Sequence, residues 1–115
     1  PAMNILKGEC QSSQINLSSG AKLKTNSKHN GRVNVGLRPE DFTINEKGPI
    51  KLNVELVELI GANTLIHGRL ENSNEILVAS IAGVISESEI GNQINLSFDE
   101  NKLHLFDVNS NQRIN

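Results

Sequence analysis

The sequence contains three histidines, whose side chains could bind a metal or act as general acids and bases near neutral pH. His29 lies in a polar stretch, His67 lies in an apolar alternation, and His104 lies between two leucines. No two of them stand two or four residues apart, so no local spacing forces them onto one ion. The sequence therefore favours structural roles for His67 and His104, on or just below the surface of strands, over a metal site.

The motifs that transfer phosphoryl or acyl groups are absent from the sequence. A phosphate-binding loop needs a Gly-Lys pair followed by Ser or Thr, and no Gly-Lys pair occurs. No Gly-x-Ser-x-Gly nucleophile turn occurs either. The single Cys10 has no partner for an internal disulfide, which favours a reducing compartment, and its neighbours Glu9 and Gln11 offer no cation to stabilise a thiolate. We therefore predict no catalytic residue, no metal and no cofactor for this chain.

Charge and aromatic content argue against nucleic-acid binding. The formal net charge is -2, and both Trp and Tyr are absent, whereas a single-strand binder needs a positive groove and aromatic stacking platforms. Of the three phenylalanines, Phe98 and Phe106 lie in apolar strand patterns that predict core positions, and Phe42 is the third. One basic cluster is typical of a solvated loop; its members are Lys22, Lys24, Lys28 and His29.

The elements that carry these side chains are predicted to be short β-strands separated by turns. Val33, Val35 and Leu37 alternate with polar or small residues, and Pro39 ends that strand because proline cannot donate to a ladder. Residues 11–31 are a loop-rich, variable region with two brief edge strands, and the tail 109–115 is predicted to fray. The apolar run 76–79 fits a buried strand. Further strands are predicted at residues 64–70, 75–82, 94–98 and 102–107.

The apolar pattern changes parity within residues 50–60. Even positions are apolar up to Leu56, and odd positions are apolar from Val57 onward, which predicts a β-bulge near these two residues. A helix over residues 52–60 is the alternative, but the β-branched content and Gly61 favour a strand. With 115 residues and no apolar run near the ~18 needed to span a membrane, the chain is predicted to be a soluble single domain, 1–115, folded as an all-β small antiparallel barrel.

The segment Arg38-Pro39-Glu40-Asp41 has two interpretations. It could be a functional turn, or it could be an ion-paired or capping turn that ends a strand and that proline makes rigid. An exposed ion pair would contribute only about 0–1 kcal/mol. We therefore expect the rigid geometry of the turn to matter more than its charges.

Four passages, in this order, resemble one family. They are Pro1-Ala2-Met3-Asn4 with Gly8, then residues 35–42 (VGLRPEDF), 57–65 (VELIGANTL) and 103–107 (LHLFD). Together they resemble the TOBE domain, the C-terminal regulatory region of ATP-binding subunits of ABC importers for sugars and glycerol phosphate. Asn63 stands where the family commonly has an acid, and Glu100 where it often has proline. The motif positions, with structural or interface roles, are Arg38, Pro39, Glu40, Gly61, Ala62, Asn63, His104, Phe106 and Asp107.

The resemblance implies a fold and a setting. The fold would be a barrel of the oligonucleotide/oligosaccharide-binding (OB) type with additional strands. The chain would be a non-catalytic fragment of a longer subunit whose N-terminal domain binds ATP and Mg²⁺. Its partners would be a second copy of that subunit, permease subunits reached through the ATPase domain, and a regulatory protein. The protein would be cytoplasmic, at the inner face of the plasma membrane. It would neither insert into the membrane nor bind nucleic acid.

A second function stays open because related TOBE domains bind molybdate or tungstate. An oxyanion site needs converging backbone N–H groups with Ser, Thr or Lys side chains. The loop of Ser86 and Ser88, together with Lys22 and Lys24, could supply such donors. A single-stranded nucleic-acid barrel is the third and weakest alternative.

Overall fold

Ten β-strands make up most of the chain in a computed structural model that describes residues 2–115. Pro1, the first residue of the Pro-x-Met-Asn passage, lies outside the described residues. The strands are β1 (Asn4–Gln11), β2 (Gln14–Leu17), β3 (Lys22–Lys24), β4 (Gly31–Leu37), β5 (Thr43–Ile44), β6 (Ile50–Ile60), β7 (Asn63–Leu70), β8 (Ile76–Ala82), β9 (Gln93–Ser97) and β10 (His104–Asp107).

The strands form two antiparallel five-stranded sheets. The first has the order β10-β4-β1-β2-β3, and the second has the order β5-β9-β6-β7-β8. Within residues 2–115 the helical segments are three single 3-10 turns, Pro39–Asp41, Glu87–Glu89 and Glu100–Lys102. The predicted all-β class is confirmed, and β6, β7 and β8 form a three-stranded meander.

One hydrophobic core joins the inner faces of the two sheets. The alternation of β4 buries Val33, Val35 and Leu37, as predicted, and the brief strands β2 and β3 of the variable region bury Ile15 and Leu23. Phe98 is half-buried and meets the buried Phe42 edge to face, with 6.2 Å between ring centroids.

The seam between the two sheets, where β1 runs beside β8, is closed by side chains. The Asn4 side chain is buried, and its Nδ2 donates to the Val78 carbonyl (2.9 Å) and the Leu37 carbonyl (3.0 Å). The Asn4 Oδ1 accepts from the Val78 amide at 2.9 Å. Three residues further along β1, the Lys7 amide donates to the Glu75 carboxylate at 2.8 Å. The side-chain carboxamide of Asn4 thus forms with Val78 the two hydrogen bonds that a peptide group of a neighbouring strand would form.

A β-bulge bends β6, as its change in parity predicts. The register of β6 against β7 shifts between Val54 and Leu56, one residue before the predicted position. Gly68 of β7 lies opposite Val54, and a Cβ added there would collide with the Asn53 carbonyl. The bulge and the glycine together let the two strands approach and turn.

Two expectations from the sequence are corrected. Phe106 is not in the core, because it lies on the outer face of β10, half-buried. Ile76 is 64% exposed, so the run 76–79 is not a strand buried on both faces. The tail that the sequence predicts to fray returns along β10, where Ile114 donates its amide to the Leu105 carbonyl at 2.8 Å and packs against the core.

The last residue tests how the tail is held. Asn115 Nδ2 donates to the Leu103 carbonyl (2.7 Å), and its Oδ1 accepts from the Leu105 amide (2.8 Å). We expect Asn115→Ala to lower the free energy of unfolding by about 1–2 kcal/mol, because both bonds pair backbone groups of the sheet edge. Urea denaturation measures this loss. The control Asn111→Gly, at a tail position with a φ of 60°, is expected to change stability by a few tenths of a kcal/mol at most. Equal stability of Asn115→Ala and the parent chain would contradict the docked tail.

Candidate functional site

The turn Pro39–Asp41 is held by its backbone. Arg38 is extended, with φ -78° and ψ 143°, and its carbonyl accepts from the Asp41 amide at 3.0 Å. Pro39 is buried, whereas Arg38 and Glu40 are exposed. No ion pair in the described part of the chain involves this turn. Arg38 makes no side-chain cap either, so the structure shows a turn held by its backbone bond and Pro39, with neither the predicted ion pair nor the predicted cap.

Two of the sequence motifs meet in one cleft, which we call the motif cleft. Glu40 of the turn and Asn63 at the start of β7 both line it, and its volume is about 360 Å³. The remaining lining is partly apolar and partly hydroxylic: Phe42, Thr43, Ile44, Ser80, Ile81 and Ala82. The lining contains one carboxylate and no Lys or Arg, so it offers an anion no cationic side chain.

The β6–β7 hairpin places Asn63 in this cleft. Gly61 has φ +61°, a left-handed conformation that glycine adopts without strain at the first turn position of a two-residue hairpin. The Ala62 carbonyl accepts from the Gly83 amide at 2.8 Å. The buried Thr64 hydroxyl donates to the Gly83 carbonyl (2.7 Å) and accepts from the Ile85 amide (3.0 Å). The following loop therefore braces the hairpin end.

An outer patch on the first sheet contains two other motif residues, His104 and Phe106, together with Met3 and Gly36. The rings of His104 and Phe106 stack with 6.4 Å between centroids and 7° between planes. A Cβ on Gly36 would collide with the Met3 sulfur and touch Phe106 at 3.1 Å. Gly36 thus lets Met3 and the two rings cover the strand, which joins three of the sequence motifs in one place.

Asp107 and Cys10 have structural surroundings. The Asp107 carboxylate accepts from the Asn109 amide (2.9 Å), and its backbone amide donates to the Gln112 carbonyl (2.9 Å), so Asp107 starts the turn that returns the tail. Cys10 is buried in the core, and burial raises the pKa of its thiol. A buried neutral thiol is a poor nucleophile, so the structure gives Cys10 a packing role.

His104 gives the outer patch a pH dependence. Partial burial, with the positive charges of Arg113 and Arg38, lowers its pKa, and Asp41 opposes this in part. The unfolded state therefore binds the proton more readily, so His104's contribution to stability is present above about pH 6.5 and is lost on acidification below it. We expect His104→Gln to be less sensitive than the parent to a change from pH 7 to pH 5 in urea denaturation. A steeper loss in the variant would contradict this assignment.

The other candidate residues do not converge. His67 Nε2 lies 2.6 Å from Glu58 Oε1 on the surface of the second sheet, and the His29 amide donates to Ser27 in a loop. No cluster of three His, Cys, Asp or Glu side chains suited to a metal occurs in residues 2–115. Lys22 and Lys24 line one crevice, and Ser86 and Ser88 are not among its lining residues. No helix in the same part of the chain is long and apolar enough to cross a membrane.

A TOBE domain model matches residues 35–106. The chain belongs to the TOBE domain family. The match covers the motif cleft, the bulged hairpin and the first three residues of β10. The resemblance to this family is therefore confirmed, and the passages at residues 35–42 and 57–65 lie inside the matched range.

Relatives of the TOBE domain cover this chain almost completely. It is 35% identical to the sn-glycerol-3-phosphate import ATP-binding protein UgpC of Ruegeria sp. (strain TM1040) over 99% of its length and 32% of the relative's. It is 32% identical to UgpC of Shigella boydii serotype 4 (strain Sb227), again over 99% of this chain. The TOBE chain spans about a third of the length of these curated relatives and aligns with their C-terminal part.

One solved structure has the same fold. The cytoplasmic molybdate-binding protein ModG superimposes with a TM-score of 0.71 over 90% of this chain and 95% of that one, at 12% identity. This likeness confirms an OB/TOBE-like fold.

Sequence reasoning missed the role of Asn4 as the bridge between sheets, and it missed the apolar character of one outer face. The signal for Asn4 was its place in the Pro-x-Met-Asn passage. The signal for the face was the run Ile76–Ala79, which has apolar residues at both parities. A strand with apolar side chains on both faces needs cover on both.

Proposed function

We propose that this TOBE domain is the C-terminal regulatory domain of the ATP-binding subunit of an importer for glycerol-phosphate-like solutes or sugars. The observation that carries the proposal is the alignment of 99% of the chain with the C-terminal part of sn-glycerol-3-phosphate import ATP-binding proteins. ATP and Mg²⁺ would bind in a separate N-terminal domain, and the complex would act at the inner face of the plasma membrane with permease subunits and a regulatory protein.

The mechanical role of the domain would be tethering. In this role the domain pairs with its counterpart in a second subunit and keeps the two ATPase domains near each other while they open and close. A lasting contact makes the second encounter effectively intramolecular, with a local concentration in the millimolar range for a short linker. The rigid turn Pro39–Asp41 and the braced hairpin suit a domain that holds its shape while its neighbours move.

The coding sequence upstream of Pro1 and the activity of its full-length product test the proposal. We expect an open reading frame with a phosphate-binding loop, whose product hydrolyses ATP with Mg²⁺, and no hydrolysis by the 115-residue chain alone. A reading frame without such a domain would overturn the proposal.

A second candidate function is oxyanion binding, which the shared fold with ModG favours. Calorimetric titration of the chain with molybdate and with glycerol 3-phosphate separates the two functions. Saturable heat with molybdate would support oxyanion sensing, whereas no heat with either ligand is expected for a tethering domain.

A further inference from the structure

The charges of this chain are unevenly divided between the two sheets, although its formal net charge is only -2. Residues 2–37 supply four of the five strands of the first sheet. They contain five of the 11 Lys and Arg residues but only one of the 13 Asp and Glu residues. The first sheet is therefore built mainly from a basic segment, and the remainder of the chain is acidic.

Strand register brings four of these cations to the outer face of the first sheet. Arg32 on β4 lies opposite Glu9 on β1, and Lys7 lies two residues before Glu9 on the same face. Lys22 and Lys24 lie on β3, two strands beyond β1. All four cations are exposed, and Glu9 is the one acid at an outward position of the described strands of this sheet. We call the surface defined by Lys7, Lys22, Lys24 and Arg32 the basic face.

The cations of the basic face have no anionic partner within residues 2–115. None of the ion pairs there includes any of the four, and even Glu9 and Arg32, which lie opposite each other, do not form one. The second sheet differs, because its Arg69 pairs with Glu55 at 3.2 Å between Nε and Oε2. Cations that are close together and unpaired repel one another, so an anionic partner gains from complementary charge on this face.

A groove of about 470 Å³ lies in the basic face, and Lys7 and Arg32 are among its lining residues. Asn16, Ser18 and the half-buried Asn34 add amide and hydroxyl groups to the lining. An arginine can hold a carboxylate through two parallel hydrogen bonds, and side-chain amides can both donate to and accept from a peptide backbone. The groove therefore offers groups that suit both the side chains and the backbone of an acidic peptide.

The spacing of the cations favours an extended occupant with several negative charges. Neighbouring strands lie about 4.8 Å apart, so Arg32 on β4 and Lys22 on β3 are roughly 14 Å apart across the sheet. Lys7 is the diagonal neighbour of Arg32, at roughly 7–8 Å. A single carboxylate or phosphate cannot reach all three. An extended chain rises about 3.4 Å per residue, so every second side chain repeats at about 7 Å and matches this spacing.

Two other polyanions suit the basic face less well. A single-stranded nucleic acid needs free aromatic faces on which its bases can stack, but His104 and Phe106 on this side of the sheet are half-buried and stack on each other. An anionic bilayer presents its headgroups in a plane, so it does not reach the amide of Asn34 inside the groove. An acidic protein segment makes use of both the charges and the groove.

We propose that the basic face binds an extended acidic segment of a partner protein, which lies in the groove with its carboxylates against Lys7 and Arg32. Recognition of an extended peptide combines backbone hydrogen bonds with contacts to alternate side chains. The inference goes beyond the proposed function, because it concerns a surface of this chain whatever domain precedes it. The groove shares no lining residue with the motif cleft.

Fluorescence anisotropy of a labelled peptide of alternating Glu and Ser tests the proposal, with about 12 residues to cross the sheet. Exposed ion pairs are individually weak, so we expect the 115-residue chain to bind it with a Kd of about 10 μM to 1 mM at low salt. Binding should weaken as salt is raised to about 0.5 M, because screening shortens the range of the attraction.

Charge-reversal variants locate the binding surface. We expect Arg32→Glu and Lys7→Glu each to raise the Kd at least about fivefold, because attraction is replaced by repulsion. The matched control is Lys47→Glu, which changes the net charge equally at an exposed lysine outside the first sheet and should raise the Kd less than about twofold. Thermal denaturation followed by circular dichroism verifies that each variant is folded, and Arg32→Gln replaces Arg32→Glu if the latter is not.

The same titration with a uridine oligonucleotide of equal net charge, and with phosphatidylglycerol vesicles, separates the possible polyanions. We expect the acidic peptide to bind more tightly than either. Failure to bind the peptide at about 1 mM, equal weakening by Lys47→Glu, or tighter binding of the oligonucleotide or the vesicles would each overturn the inference. So would self-association of the chain that Arg32→Glu abolishes, because the occupant would then be a second copy. The upstream coding sequence tests the proposed function separately, so either can fail alone.

Discussion

Replacing Asn4 by leucine is expected to lower the free energy of unfolding by about 2–4 kcal/mol. The side chains are similar in size, but leucine removes the three hydrogen bonds that Asn4 makes with Val78 and Leu37. Each unsatisfied buried backbone group costs about 1–3 kcal/mol, which outweighs any gain from burying apolar surface. Urea denaturation followed by far-UV circular dichroism measures the loss as a lower midpoint at unchanged slope.

The matched control for Asn4 is Asn16→Leu. Asn16 is exposed on β2, and its side chain accepts one hydrogen bond, from Gln14. We expect this change to cost less than about 0.5 kcal/mol. If Asn4→Leu were as mild as Asn16→Leu, the seam between the sheets would be held by the core alone, and the bridging role of Asn4 would be wrong.

Gly68→Ala is expected to destabilise the domain by about 3 kcal/mol. The added methyl group collides with the backbone carbonyl of Asn53 and comes within 3.0 Å of Leu52 Cγ. A backbone carbonyl cannot avoid the collision by changing rotamer as a side chain can. The strands β6 and β7 must therefore separate, or the bulge must rearrange. The midpoint of thermal or urea denaturation reports the loss.

Gly61→Ala is the control that separates the energetic cost of a steric collision from the cost of an unfavourable backbone conformation. Gly61 has φ +61°, and no heavy atom lies within 4 Å of a Cβ placed there. Its replacement costs only the left-handed conformation, about 1–2 kcal/mol. A loss for Gly68→Ala no greater than that for Gly61→Ala would show that β7 has room beside the bulge, against the geometry described above.

The strands that the sequence predicts best are those whose inward residues are large and apolar. β4, β6 and β9 show their alternation openly, and the parity change in β6 locates its bulge within one residue. β1 escapes such reasoning because its inward positions are Asn4, Leu6, Gly8 and Cys10, of which only leucine is strongly apolar. Its inward asparagine has a partner 74 residues away, which no local pattern reveals.

The candidate site likewise has parts that the sequence predicts and parts that it does not. The turn at Pro39 and the hairpin at Gly61 are local and were predictable, but their meeting in the motif cleft depends on how the second sheet packs beside the 3-10 turn. The outward position of Phe106 follows from the register of β10 against β4, which pairs Phe106 with Asn34 rather than with a buried valine. A tail rich in Asn, Ser and Gln predicts fraying, because composition does not show the bonds that the Ile114 amide and the Asn115 side chain make with the backbone of β10 and Leu103.

The seam at Asn4 predicts where local opening of the domain needs the fewest broken hydrogen bonds. Elsewhere the strands are joined by ladders of several peptide pairs, and opening them requires many bonds to break together. Between β1 and β8 these hydrogen bonds are made by one carboxamide and one carboxylate, so rotation of two side chains is enough to break them. We expect deuterium to reach the Val78 and Lys7 amides sooner than the ladder amides of β4.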